Sequence, residues 1–168
     1  MTRSILLATL LLCTASPVVA QSPCTTPDHR AFDFWIGTWD VYDPSGTQRG
    51  HNEIRSTLGG CVLHERYGTP SGYEGESVNI YDASRGVWHQ SWVDNGGLLL
   101  RLEGGIRDGA MVLEGLTTGA DGTESLNRIT WSQLDSDGDR VRQLWEISAD
   151  GGSTWTVAFD GEYRRVEG

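Results

Sequence analysis

Phe32-Asp33-Phe34-Trp35-Ile36-Gly37-Thr38-Trp39-Asp40-Val41 is the stretch whose reading decides the fold. Phe32, Trp35 and Ile36 recur at i, i+3 and i+4, so they share one face of a short helical turn. Gly37 supplies a bend without a Cβ, and Trp39 and Val41 then share one face of the strand that follows. An apolar helical turn that feeds directly into a strand is expected to plug one end of a hollow β architecture.

Downstream, no stretch keeps a helical period. Glycine is abundant (22 residues) and proline scarce (5), and short alternating runs are separated by turn signals, the pattern of an all-β sandwich or barrel. The alternation predicts ten strands: Thr38–Tyr42, Gly50–Leu58, Cys61–Tyr67, Glu76–Asp82, Val87–Val93, Leu98–Gly104, Ala110–Gly115, Leu126–Gln133, Val141–Ser148 and Thr154–Val166. Connectors such as Asn95-Gly96, Asp108-Gly109, Asp121-Gly122 and Asp137-Gly138 carry tight hairpin chemistry, with Asn or Asp before Gly tolerating positive φ. Consecutive hairpins give a meander, and a ten-strand meander removes its two edges only by closing on itself. The expected fold is therefore all-β: a single antiparallel up-and-down barrel of about ten strands behind a short N-terminal helix. Thr26-Pro27 before Asp28 opens that helix, with proline at its first position.

Upstream, residues 1–20 read as a secretory signal: Arg3, an apolar run from Ile5 to Cys13, and the small-residue site Val18-Val19-Ala20. The expected mature chain, residues 21–168, is one barrel domain, exported to the periplasm or secreted, with no membrane anchor after cleavage. Cys24 and Cys61 then remain, and in an oxidising compartment they are expected to form a disulfide closing a loop of 37 residues. The formal charge of −10 argues against nucleic acid and anionic membrane as partners, since both need a basic footprint.

Strand parity selects the interior. Trp88, Gln90 and Trp92 share a face; so do Asn127, Ile129, Trp131 and Gln133; so do Val141, Gln143, Trp145 and Ile147; and so do Trp155, Val157, Phe159 and Tyr163. Amides among tryptophans are unusual inside a protein, because an unpaired buried amide costs about 1–3 kcal/mol. Either the amides bond one another in a filled barrel, or they face a lumen that takes a small amphipathic or aromatic ligand. On the second reading Trp88, Gln90, Trp92, Asn127, Trp131, Gln133, Gln143 and Trp145 are the ligand-binding residues.

Other chemistry is sparse. The four histidines have no companions at metal-ligand spacing, so no metal and no other cofactor is expected. Glu65 and Glu76 are candidates for an acid–base pair if both point inward, which would make the protein an isomerase, hydratase or hydrolase. Asp135 to Asp139 superficially resembles a calcium loop, but Arg140 stands where glycine is needed, so the segment reads as a turn. Ser148 to Trp155 matches the Ser-x-Asp-x-Gly-x-Thr-Trp pattern of Asp-box hairpin turns, where the motif is structural.

Gly37-Thr38-Trp39 after a helical turn resembles the Gly-x-Trp signature of lipocalin-like (calycin-type) barrels. There a basic residue from the last strand lies across the tryptophan. The resemblance makes Gly37, Trp39 and Arg165 the expected closure, Arg165 stacking on Trp39. Together with Trp88–Asp94, Val141–Glu146 and the Asp-box turn, residues 32–39 resemble an uncharacterised family of exported bacterial domains of unknown function, assigned a lipocalin-like barrel. Nitrobindin-like ten-stranded barrels bind haem through a histidine; this chain has no histidine clearly inward near its C-terminal strands, so haem is not expected. The expected function is small-molecule binding in the lumen, with an enzyme or a non-catalytic envelope interaction module as alternatives.

Overall fold

The computed structural model describes residues 23–166, so the proposed signal segment, residues 1–20, lies outside the described residues. The chain opens with a four-residue helix, α1 (Pro27–Arg30), and a 3₁₀ turn (Asp33–Trp35). Ten strands follow: β1 (Gly37–Tyr42), β2 (Gln48–Thr57), β3 (Val62–Gly68), β4 (Glu74–Asp82), β5 (Val87–Asp94), β6 (Leu99–Arg107), β7 (Ala110–Thr118), β8 (Glu124–Gln133), β9 (Arg140–Ser148) and β10 (Thr156–Arg165). Each pairs antiparallel with its sequence neighbours, and β10 pairs with β1, so the sheet is a closed up-and-down barrel. The expected architecture and strand count are what is found. No helix among the described residues is long and apolar enough to cross a membrane.

Strand ends differ from the expected ones by up to three residues, and two departures have identifiable reasons. β6 runs through Gly104 and Gly105 to Arg107, because a side chain at Gly104 would meet the Val112 carbonyl; the glycine marks a close approach of two strands and not a strand end. In β10 the register shifts between Val157 and Phe159, a bulge that inverts the alternation. Trp155 and Val157 therefore lie outside, contrary to the expected shared face with Phe159 and Tyr163. The Trp155 ring carries the Arg128 guanidinium 3.8 Å from its centroid, and Val157 is exposed.

The N-terminal segment fills the end of the barrel where β1 begins. Phe32, Trp35 and Trp39 are completely buried. Phe32 stacks on Trp35 and meets Trp88 and Trp131 edge-on, at centroid distances of 5.0, 5.6 and 5.1 Å. Backbone carbonyls of the short helical turns take indole donors: Trp39 Nε1 donates to Trp35 O and Trp88 Nε1 to Asp28 O, both at 3.0 Å. A disulfide joins Cys24 to Cys61, and Arg30 donates to Gly60 O at 2.9 Å, so the segment is tied to the β2–β3 connection from two points.

Across the same end Arg165 lies opposite Trp39 in the β1–β10 ladder, its guanidinium 4.2 Å from the indole centroid. It also donates to Ile36 O and Gly138 O and occupies the space a side chain at Gly37 would need. One residue thus bridges the plug, β1 and the β8–β9 turn. The turns after β1, β3, β5, β7 and β9 gather at the other end, where no helix among the described residues lies across the barrel.

Candidate functional site

Between those turns and the plug lies a cavity of about 250 Å³. Its wall is aromatic: Tyr67, Tyr73, Trp92, Trp145, Phe159 and Tyr163. Leu100, Ile129 and Ala158 complete the apolar surface, and Glu65, Gln90 and Gln143 supply the polar groups. Two of the rings rest on glycines. A Cβ at Gly75 would run into the Trp92 indole, and one at Gly161 into the Phe159 ring, so absence of a side chain there lets both rings lie against the backbone.

The floor is a continuous hydrogen-bond network across the barrel. Gln90 Nε2 donates to Asn79 Oδ1 at 2.8 Å, Asn79 Nδ2 to Ser77 Oγ at 2.8 Å, and Ser77 Oγ to Glu65 Oε2 at 2.6 Å. From the other side Asn52 Nδ2 donates to Glu65 Oε1 at 2.7 Å and to the Tyr163 hydroxyl at 3.3 Å. Tyr163 in turn donates to Gln143 Oε1 at 2.6 Å, and the same oxygen accepts from Trp131 Nε1 at 3.0 Å. These bonds fix both cavity amides. Gln143 must present its oxygen to two donors, so its NH₂ is left to the cavity; Gln90 uses its NH₂ on Asn79, and its Oε1 takes no bond among the described residues.

Glu65 is the end point of this network, and both its donors are neutral. Burial pushes its carboxyl up to about 7, against the smaller opposing effect of the bonds from Ser77 and Asn52. Burial, with the nearby Glu65 carboxylate, also raises the Tyr163 and Tyr67 phenols above their usual value. At the mouth Asp94 accepts from the Tyr73 hydroxyl at 2.8 Å and from Trp92 Nε1 at 3.3 Å. Burial alone would raise Asp94, but these bonds and those from the Leu98 and Gly96 N–H groups outweigh it and hold the carboxyl low. Two carboxyl groups in one site are thus driven in opposite directions by their surroundings.

The proposed site residues divide by height along the barrel. Gln90, Trp92, Gln143 and Trp145 line the cavity. Trp88 and Trp131 point inward but sit at the plug end, packed on Phe32. Asn127 is buried beside the cavity: its Nδ2 donates to Thr117 Oγ1 at 2.9 Å and its Oδ1 accepts from Trp145 Nε1 at 3.0 Å, so it positions a wall residue. Gln133, expected in the lumen, is instead exposed at the end of β8, its side chain beside Gly138 in the β8–β9 turn.

Glu65 and Glu76 do not form a pair. In the β3–β4 ladder Glu65 lies opposite Ser77 and Glu76 opposite Arg66, which sets them on different faces. Glu76 is on the outer surface, accepting from Arg66 Nε at 3.0 Å and 3.0 Å from His64 Nε2. Among the described residues no three His, Cys, Asp or Glu side chains converge as a metal site would require.

The sequence reading missed Asn52, Ser77 and Asn79, which carry the floor, and Tyr73 at the rim. In β4 the apolar residues Val78 and Ile80 invite an inward assignment, yet they are exposed while Ser77 and Asn79 are buried. The available signal was the pairing of Glu65 on β3 with the facing strand, which makes a polar inner face on β4 the consistent choice. No family model matches the chain, and no curated protein shows significant similarity to it.

Proposed function

We propose that this is an exported, lipocalin-like barrel that binds a small amphipathic or aromatic molecule in the cavity opposite the plug. The observation that carries the reading is the coexistence of aromatic walls with amides whose remaining hydrogen-bonding groups, Gln90 Oε1 and Gln143 Nε2, are left for something other than protein. The volume sets the scale. About 250 Å³ exceeds the roughly 150 Å³ apolar cavity that accommodates benzene and falls short of the roughly 300–1,000 Å³ of sites for drug-sized ligands. A single ring with a short polar arm fits that range. Export is supported by the signal-like residues 1–20 and by the disulfide.

The test is a tryptophan-fluorescence titration against single-ring compounds. Trp92 and Trp145 lie in the cavity wall, so occupancy should change their emission with dissociation constants in the micromolar range, about −8 kcal/mol. The Trp145→Phe variant should lose most of that change. No response to any member of the panel, or a response unaltered in Trp145→Phe, refutes the proposal.

A second reading has one observation in its favour. Glu65, at the cavity floor with its carboxyl near 7, meets the requirements of a general acid–base group. On that reading Glu65 abstracts a proton next to a carbonyl. An aromatic ketone bound in deuterated water would then exchange its α-hydrogens faster with the wild type than with Glu65→Gln; equal rates leave binding alone.

A further inference from the structure

We propose that the cavity selects organic cations, a protonated amine or quaternary ammonium carried on one small aromatic or apolar group. This rests on the cavity being a binding site and names the class of ligand it takes.

Glu65 is an acid without a counterion. Its oxygens are held by Ser77 and Asn52, both neutral donors, and among the described residues no arginine or histidine lines the cavity. The chain also has no lysine. An ionised carboxylate in such surroundings is strongly disfavoured unless a positive charge joins it, so a cationic ligand completes a pair that the protein leaves half made. The acceptors around it point the same way. Gln90 Oε1 is unpaired, and behind Glu65 the Asn52 Oδ1 is buried with no donor. Of the two only Gln90 belongs to the cavity lining, where its oxygen suits an N–H donor and would repel an anion; the donor left open beside it, the Gln143 NH₂, is neutral.

The walls fit the same class. Aromatic faces attract cations through the ring quadrupole, and the attraction grows when the pair is removed from water. Tyr67 and Phe159 stand edge to face 6.4 Å apart, Tyr67 and Tyr73 at 6.2 Å, giving a partial cage above Glu65. The indole N–H groups are already occupied, Trp145 by Asn127 and Trp92 by Asp94, so the two rings offer the cavity their π systems and no donor. At the entrance Asp94 adds a carboxylate held in its charged form, and the formal charge of −10 favours approach of a cation from any direction.

Four matched probes test this: benzylamine, benzyltrimethylammonium, benzyl alcohol and benzoate, titrated by tryptophan fluorescence at pH 8. The expected result is that the two cations bind at least tenfold more tightly than the alcohol, with benzoate weakest. Glu65→Gln should reduce the cation preference to about twofold, the loss falling on the two cations and far less on the alcohol. Should Glu65→Gln fail to fold, pH replaces it. Facing Glu65 are the Tyr67 and Tyr163 phenols, which stay uncharged, and the neutral Ser77 and Gln143; Asp94 at the mouth stays ionised, and Arg49 near Tyr67 is paired with Asp43. Only Glu65 among these changes charge between pH 5.5 and 8, so benzyltrimethylammonium should bind more tightly as pH rises and benzyl alcohol should not. Equal affinity for alcohol and cations in the wild type, or a pH-independent cation affinity, overturns the cation inference while the binding proposal stands. No binding by any of the four overturns both.

Discussion

A buried carboxyl with no cation near it holds its proton more tightly than the same group in an unfolded chain, and Glu65 is such a group. Its contribution to stability is complete below the ordinary value of 4.5 and is lost as pH rises through about 7, amounting to roughly 3 kcal/mol between the limits. Asp94 works in the opposite sense and only in acid, below its ordinary value of 3.8. Denaturant midpoints of the wild type should therefore fall between pH 5 and 8, and those of Glu65→Gln should be nearly flat; parallel curves would contradict the burial argument. A second single-residue effect concerns Gly75. Alanine there displaces the Trp92 ring, an overpacking cost of about 1–3 kcal/mol, and should weaken ligand binding several-fold while the far-ultraviolet dichroism of the barrel is retained.

Among the elements, the plug and its tether set the stability of the closed end. Removing the Cys24–Cys61 link, which closes a separation of 37 residues, should cost about 3–4 kcal/mol by thermal or chemical denaturation. Ligand affinity measured below the transition should be unchanged, because the cavity lies at the opposite end. Trp39→Ala, which empties a completely buried site, should cost about 3–5 kcal/mol. The same elements show what a sequence can and cannot reveal. The alternation of Trp88, Gln90 and Trp92 correctly placed all three on one face, because pleating obliges it. Alternation carries no measure of height, so Trp88 and Trp131, which fill the plug end, were grouped with Trp92 and Trp145, which line the cavity. Exposed Val78 and Ile80 hid the polar inner face of β4, and one bulge turned Trp155 and Val157 outward. The floor of the site arises from partners on different strands, Asn52, Glu65 and Ser77, which only the ladder register brings together.

For the whole molecule, nine of the ten strand pairings are hairpins between sequence neighbours, while β1 and β10 must find each other across nearly the full described chain. Local pairings incur little loop-closure entropy, so they are expected to form early and the β1–β10 contact to complete the ring last. Arg165→Ala, which removes the Trp39 stack and three bonds to the Ile36 and Gly138 carbonyls, should accelerate unfolding and leave the refolding rate almost unchanged in stopped-flow measurements.

Once made, the contact between the first and last strands is an antiparallel ladder like the others, extended by a bond from Val166 N–H to Thr38 O. The ring then has no privileged starting strand. A circular permutant with new termini at the Asp108-Gly109 turn, its old ends joined by a flexible linker, should fold to the same barrel and keep the same ligand site. The turn qualifies as an opening point because both its residues hold positive φ, at 50° and 82°, and it joins strands that remain paired with other neighbours. The order in which the strands are written along the gene is, on this view, incidental to the chamber they enclose.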